Sequence, residues 1–274
     1  MDKDFDFDEM AASFDRYLPI LAPVADDIGD RLGQLQPAAL VLDVACGTGE
    51  PGLTLLGRYP GVQLLGVDSA DAMTAIATRK ASARGLADAR YEVMDSQHLD
   101  LADDSVDAVV SRFGLLSFAA DPRAEAREVA RVLRPGGVFS IATWDAGSKN
   151  LISYALSVSL RRWLNPPIAA AVERSERFAM PGRRERWLAD AGLVDVRSEL
   201  VTWQVDFADE VALWEFANDP IFLSTATGGL DSAQLAEVRR ELFELLADYR
   251  GADGSYALPY ACRLLSGTRS SVEG

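Results

Sequence analysis

The chain has 274 residues, 49% of them apolar, which is enough to bury one substantial core and fits a single α/β domain. Its 42 acidic against 27 basic side chains give a formal net charge of −15, which argues against nucleic acid or an anionic membrane as partner, since both call for cationic surface. Two cysteines, one histidine and an acidic start, Met-Asp-Lys-Asp-Phe-Asp, exclude a disulfide framework, a metal cluster and a cationic signal segment, so a reducing, cytoplasmic setting is expected.

Residues 9–35 place Phe14, Tyr17, Ile20, Leu21, Val24, Ile28 and Leu32 at helical spacing, interrupted by Pro19 and Pro23. Two short amphipathic helices are predicted there, within an N-terminal lid covering residues 1–36. From 37 to 145 short apolar runs alternate with helical segments, the pattern of a mostly parallel sheet with helices on both faces. Strands are predicted near 39–45, 62–67, 90–94, 106–111 and 137–143, and helices near 51–58, 70–84 and 121–132. Arg134-Pro135-Gly136-Gly137 reads as the turn that closes the last of these helices.

Beyond the core, residues 146–181 are helical by pattern, split at Asn165-Pro166-Pro167, and read as a substrate cap. The segment 182–274 holds a helix from Arg183 to Ala191, a long strand from Val194 to Phe207, helix over 209–250 and a final strand from Tyr256 to Leu265. Arginines at 161, 162, 174, 177, 183, 184 and 186 interleave with glutamates and read as solvated helix faces, the alternative being a local basic patch.

The chemistry sits in Val41-Leu-Asp-Val-Ala-Cys-Gly-Thr-Gly49, a buried strand carrying one carboxylate that breaks into a glycine turn, followed by Leu65-Gly-Val-Asp68 at the end of a second strand. Gly47-x-Gly49-x-x-Gly52 also satisfies the dinucleotide fingerprint, so the spacing alone admits either NAD or S-adenosylmethionine. Asp68 suits the ribose hydroxyls of both. Asp43 discriminates: a carboxylate ahead of the loop repels a pyrophosphate and suits a ligand bearing sulfonium and ammonium. The competing reading is that Asp43 bonds the loop's own backbone amides.

Together with Met94-Asp95-Ser96, Asp107-Ala-Val-Val-Ser-Arg112 and Leu133-Arg-Pro-Gly-Gly-Val-Phe-Ser-Ile141, these segments resemble the class I S-adenosylmethionine-dependent methyltransferases, in particular the small-molecule branch of the ubiquinone and menaquinone C-methyltransferases. The likeness covers about residues 37–145, and more loosely the rest of the chain to its end. It implies a doubly wound, seven-stranded, mostly parallel sheet of Rossmann-like type with an antiparallel last strand. It also implies transfer of a methyl group to an O, N or C atom of a small molecule, a quinone-like or secondary-metabolite acceptor. Asp43, Ala45, Gly47 and Gly49 would hold the amino-acid end of the cofactor, Asp68 its ribose hydroxyls, Met73 the adenine face, and Asp95 and Ser96 the adenine edge, with Ser69 a further cofactor-binding candidate. Tyr17 is the lid aromatic expected near the methionine moiety, the alternative being that Phe14 and Tyr17 simply pack on the core.

Arg112 and Phe113 leave the carboxyl end of the fourth strand, where open α/β sheets place ligands. Arg112 either bonds the cofactor or orients an anionic substrate. Phe113, Phe118, Trp144 and Trp163 are candidates for the pocket wall, or for core. His98 is the sole histidine and thus a candidate base, but its polar turn belongs to the adenine side. No metal is expected, and the oligomeric state is open. Two other functions stay compatible with the sequence: an NAD-dependent oxidoreductase, and a methyltransferase-fold subunit that binds without catalysing.

Overall fold

The apolar run Leu40–Val44 forms β1, buried at every position after the first, because a central strand meets protein on both faces. The computed structural model of the chain describes residues 6–145 and 149–271. β1 pairs in parallel with β2 (Gln63–Asp68) and with β4 (Val106–Arg112). Outside these lie β3 (Ala89–Val93) and β5 (Leu133–Trp144), also parallel. β7 (Tyr256–Arg269) then inserts antiparallel between β5 and the edge strand β6 (Leu193–Phe207). The order β3-β2-β1-β4-β5-β7-β6 is the seven-stranded sheet with an antiparallel last strand that the sequence led us to expect. It reverses direction between β1 and β4, and ligands of open α/β sheets bind outside the carboxyl ends of the strands at that point.

Alternate residues of the strands feed two cores. Val41, Leu64 and Val110 face α3 (Pro23–Leu32) through Val24 and Ile28, whereas Leu42, Val44 and Val109 face α6 (Pro122–Val132) through Ala126 and Val129. α4 (Gly52–Arg58) and α5 (Asp71–Ala83) complete the crossovers, within a residue of their predicted bounds.

Three local expectations change. The N-terminal segment is not two helices but three, α1 (Phe7–Phe14), α2 (Leu18–Leu21) and α3, joined by a 3-10 turn at Asp15–Tyr17. Pro19 and Pro23 sit in the first turns of α2 and α3, where no amide donor is needed, so they restart the helix instead of interrupting it. β5 begins at Leu133, not at 137. Val106 pairs with Leu133 and Ala108 with Val138, so the Arg-Pro-Gly-Gly segment bulges opposite Asp107, helped by φ +80 at Gly136.

The cap expected over 146–181 contains α7 (Leu151–Leu160) and α8 (Pro166–Phe178), with Ala146 to Ser148 outside the described residues. After α9 (Arg183–Asp190) and β6, the helical stretch 209–250 divides into α10 (Glu210–Ala217), α11 (Pro220–Thr227) and α12 (Ser232–Leu245). Asp231 and Gln234 form a reciprocal capping box at the start of α12. Among the described residues no helix is long and apolar enough to cross a membrane.

Candidate functional site

The turn after β1 is fixed by its own backbone. Cys46 N donates to Val67 O at 3.0 Å, tying the loop to β2, and Gly49 N donates to Cys46 O at 2.9 Å. Gly49 has φ +106, and a Cβ there would lie 2.8 Å from Leu53 Cδ1, so both conformation and space demand glycine. A Cβ on Gly47 would sit 3.5 Å from the ring of Phe14, which places that aromatic of α1 over the loop.

Asp43 is fully buried. Its Oδ2 accepts from Gly52 N, at the start of α4, at 2.9 Å, while Oδ1 has no partner among the described residues. One oxygen therefore does what the competing reading required, and the other remains for a cationic ligand. Burial pushes the carboxyl up to about 7, against the opposing pull of the Gly52 amide and Arg112. Asp68 accepts from Gly47 N at 2.9 Å through Oδ2 and from Ala70 N at 3.0 Å through Oδ1, and burial raises its pKa too. With the Ser69 amide also bonding it, the carboxylate keeps capacity for one further donor. Arg112 is buried, and its Nη1 donates to Leu21 O at 3.2 Å, holding α2 against the end of β4.

An orphaned carboxylate oxygen under a two-glycine cradle fits a ligand with a positive centre, and it fits a diphosphate poorly. The remaining sequence candidates scatter. Ser69 follows Asp68 on the exposed edge of the loop. Asp95 is exposed, and its Oδ1 accepts from Gln97 N at 2.9 Å, closing a turn in which His98 is also exposed. Met73 is buried beside Ala11, with Phe7 and Phe14 against them, so it packs on α1. Tyr17 donates its hydroxyl to Asp219 Oδ2 at 3.0 Å and lies edge-on to Phe216, so Phe14 and not Tyr17 is the lid aromatic over the glycine loop.

Ser96 leads to a residue that sequence reading missed. Its hydroxyl donates to Glu125 Oε1 at 2.7 Å, and Glu125 Oε2 accepts from Leu116 N at 2.7 Å. This buried glutamate joins the turn after β3 to the turn after β4, and burial raises it to about 7. Its signal in the sequence was a lone acid next to Ala126 on the apolar face of α6.

Of the four proposed wall aromatics, two come together. Phe113 stacks on Trp144 with centroids 3.8 Å apart and planes 9° apart. Phe118 lies instead edge-on to Phe7, and Trp163 packs with Leu160, Leu223 and Val238 between the C-terminal helices, so neither joins that wall. The Phe113 and Trp144 stack continues instead into Trp203 and Tyr260, paired across β6 and β7 with centroids 5.8 Å apart, Tyr260 lying 6.2 Å from Trp144, so the four rings form one aromatic cluster in the core. Trp203 Nε1 is buried and has no acceptor among the described residues.

The raised carboxyls predict a pH dependence. Asp43 and Glu125, at about 7 against ordinary values of 3.8 and 4.5, hold protons that the unfolded chain has released. Their contribution to folding is complete below about pH 4 and is lost as the pH rises through about 7. Urea midpoints of the cofactor-free protein are expected to fall between about pH 5 and 8, with a smaller fall in Glu125→Gln. A midpoint that holds or rises over that window contradicts the assignment.

A sequence model of the family described as "Methyltransferase domain" matches residues 41–137. Demethylmenaquinone methyltransferase of Thermus thermophilus is 35% identical over 176 residues, covering 60% of this chain and 78% of the relative. Trans-aconitate 2-methyltransferase of Deinococcus radiodurans is 38% identical over 121 residues, covering 43% of this chain and 44% of the relative. Phosphoethanolamine N-methyltransferase 2 of Haemonchus contortus, solved in complex with S-adenosyl-L-methionine, superposes with a TM-score of 0.61 at 16% identity, over 97% of this chain and 60% of that one. At that identity the likeness is one of fold.

Proposed function

This chain belongs to the class I S-adenosylmethionine-dependent methyltransferases, and on that premise we propose that it methylates an O, N or C atom of a planar, oxygen-bearing small molecule of the quinone or secondary-metabolite kind. The observation that carries the choice of acceptor is the cluster of Phe113, Trp144, Trp203 and Tyr260, with the buried Trp203 Nε1 that has no acceptor among the described residues. Stacked rings favour a flat partner, and an indole N–H without an acceptor favours one that brings an oxygen. The methyltransferase named for demethylmenaquinone among the relatives points the same way.

When bound, S-adenosylmethionine supplies an activated methyl group for in-line displacement by the acceptor. The chain's part is alignment and exclusion of water. Asp43 Oδ1 would take the cationic end of the cofactor, the Gly47–Gly49 turn would let backbone approach it, and Asp68 would accept the ribose hydroxyls. Arg112 bonds Leu21 O, which makes it a positioning residue between lid and sheet. His98, exposed in its turn, has no role in this scheme. The dinucleotide alternative is set aside with the family assignment.

Turnover of a panel of phenols, hydroquinones and amines tests the reading. Hydroquinone-type acceptors are expected to react, and Trp203→Phe is expected to raise their KM about 5- to 10-fold with little change in kcat, the loss of one hydrogen bond. Methylation confined to amines, or S-adenosylhomocysteine binding without turnover of any acceptor, sinks it.

A further inference from the structure

The arginine-rich stretch that reads in sequence as solvated helix faces or a local basic patch borders a cleft. We propose that the cleft between the first turns of α6 and α9 binds a small organic anion with a planar apolar body, apart from the cofactor loop. The cleft measures about 540 Å³ and is walled by Pro122, Arg123, Phe178, Arg183, Arg186 and Trp187. On α9 the three wall residues stand at i, i+3 and i+4, the spacing that puts side chains on one helical face.

Its charge runs against that of the chain. Many arginines here have a carboxylate partner, among them Arg127, Arg131, Arg162, Arg240 and Arg269. Among the described residues no carboxylate lies within 4.0 Å of the guanidinium of Arg123, Arg183 or Arg186. Arg183 leans on Met180 Sδ at 3.8 Å and Arg186 donates to Gly182 O at 3.1 Å. Two acids also line the cleft. Asp121 is engaged by Arg123 N at 3.0 Å and Arg127 Nη2 at 3.2 Å, and Asp190 closes the opposite end of α9, about 10 Å along the helix from Arg183. Three arginines therefore line one cleft, with Asp121 already engaged and Asp190 one turn beyond Arg186 without an ion pair to it.

The floor is aromatic and rigid. Phe178 meets Trp187 edge-to-face with centroids 5.2 Å apart. The first turn of α9 is clamped by the buried Arg184, whose Nε donates to Leu116 O at 3.2 Å and Nη1 to Trp144 O at 2.8 Å. These acceptors follow β4 and end β5, so the clamp sets the cleft at the sheet's carboxyl edge. A guanidinium trio offers forked donors to a carboxylate, sulfonate or phosphate, and the aromatic floor takes a ring.

Calorimetric titration of the full chain with phenyl phosphate tests this, with inorganic phosphate and phenol as its separate halves. Phenyl phosphate is expected to bind with one-to-one stoichiometry, more tightly than either half, and more weakly as sodium chloride rises. Arg183→Gln with Arg186→Gln should weaken it about tenfold or more, whereas Arg161→Gln, outside the cleft, should not change it. S-adenosylhomocysteine affinity should be unaffected, which separates failure here from failure of the methyltransferase reading. Arg123→Gln, on a different helix, gives the same test should the α9 variants fold poorly. No binding at millimolar phenyl phosphate, equal affinity in the arginine variants, or phosphate binding as tightly as its phenyl ester each overturns the proposal.

Discussion

Asp43→Asn is expected to weaken S-adenosylhomocysteine binding about 10- to 100-fold at pH 8 while leaving the melting temperature unchanged or higher. The asymmetry follows from the two oxygens. Oδ2 is committed to the Gly52 amide, a bond the asparagine carbonyl can keep, so the replacement puts its NH2 at the Oδ1 position. In the cofactor-free protein that exchange costs little, because burial already lifts the carboxyl to about 7 and its neutral form likewise carries a donor. In the complex it turns an acceptor toward a cation into a donor. The wild-type protein should accordingly bind S-adenosylhomocysteine better as the pH rises to about 7, releasing a proton, and the variant should lose that dependence. Calorimetry in buffers of different ionisation enthalpy measures both. An Asp43→Asn affinity within about threefold of wild type removes the carboxylate from the cofactor site.

The strands and crossover helices were legible because their signals are local. β1 needs only the run from Leu40 to Val44, and its loop is announced by glycines a few residues on. Asp43 and Asp68 were legible for the same reason, since each follows from its place in a strand. Tyr17 was expected where Phe14 lies, because which of the two turns toward the loop depends on the 3-10 turn at Asp15–Tyr17, a change of helical phase without a sequence marker. The bulge in β5 depends on register against β4, and the Arg-Pro-Gly-Gly segment reads equally as a turn until Asp107 is seen opposite it. Trp203 and Tyr260 are far apart in sequence and meet only because β7 threads antiparallel between β5 and β6. Glu125 is the converse case: its place on α6 was visible, but its two partners lie on separate loops. What went unread was pairing, not chemistry.

Gly114→Ala is expected to destabilise the fold by about 2 kcal/mol or more and to abolish most turnover, with Ala45→Gly restoring both. A Cβ on Gly114 would fall 2.2 Å from the Cβ of Ala45, and neither atom can be moved by a change of rotamer. The backbone must shift at Ala45, where the glycine loop begins, or at Phe113, whose ring stacks on Trp144. Both sit at sparsely populated conformations, with φ +55 at Ala45 and φ +67 at Phe113, so little freedom exists to absorb the shift. Ala45→Gly removes the colliding atom and relieves about 1 kcal/mol of left-handed strain, partly offset by the greater freedom of glycine in the unfolded chain. Alone it should therefore be close to neutral. Urea denaturation of the two single variants and the double variant closes the cycle, and a coupling energy below about 0.5 kcal/mol means the contact between the turns after β1 and β4 does not set the shape of the site.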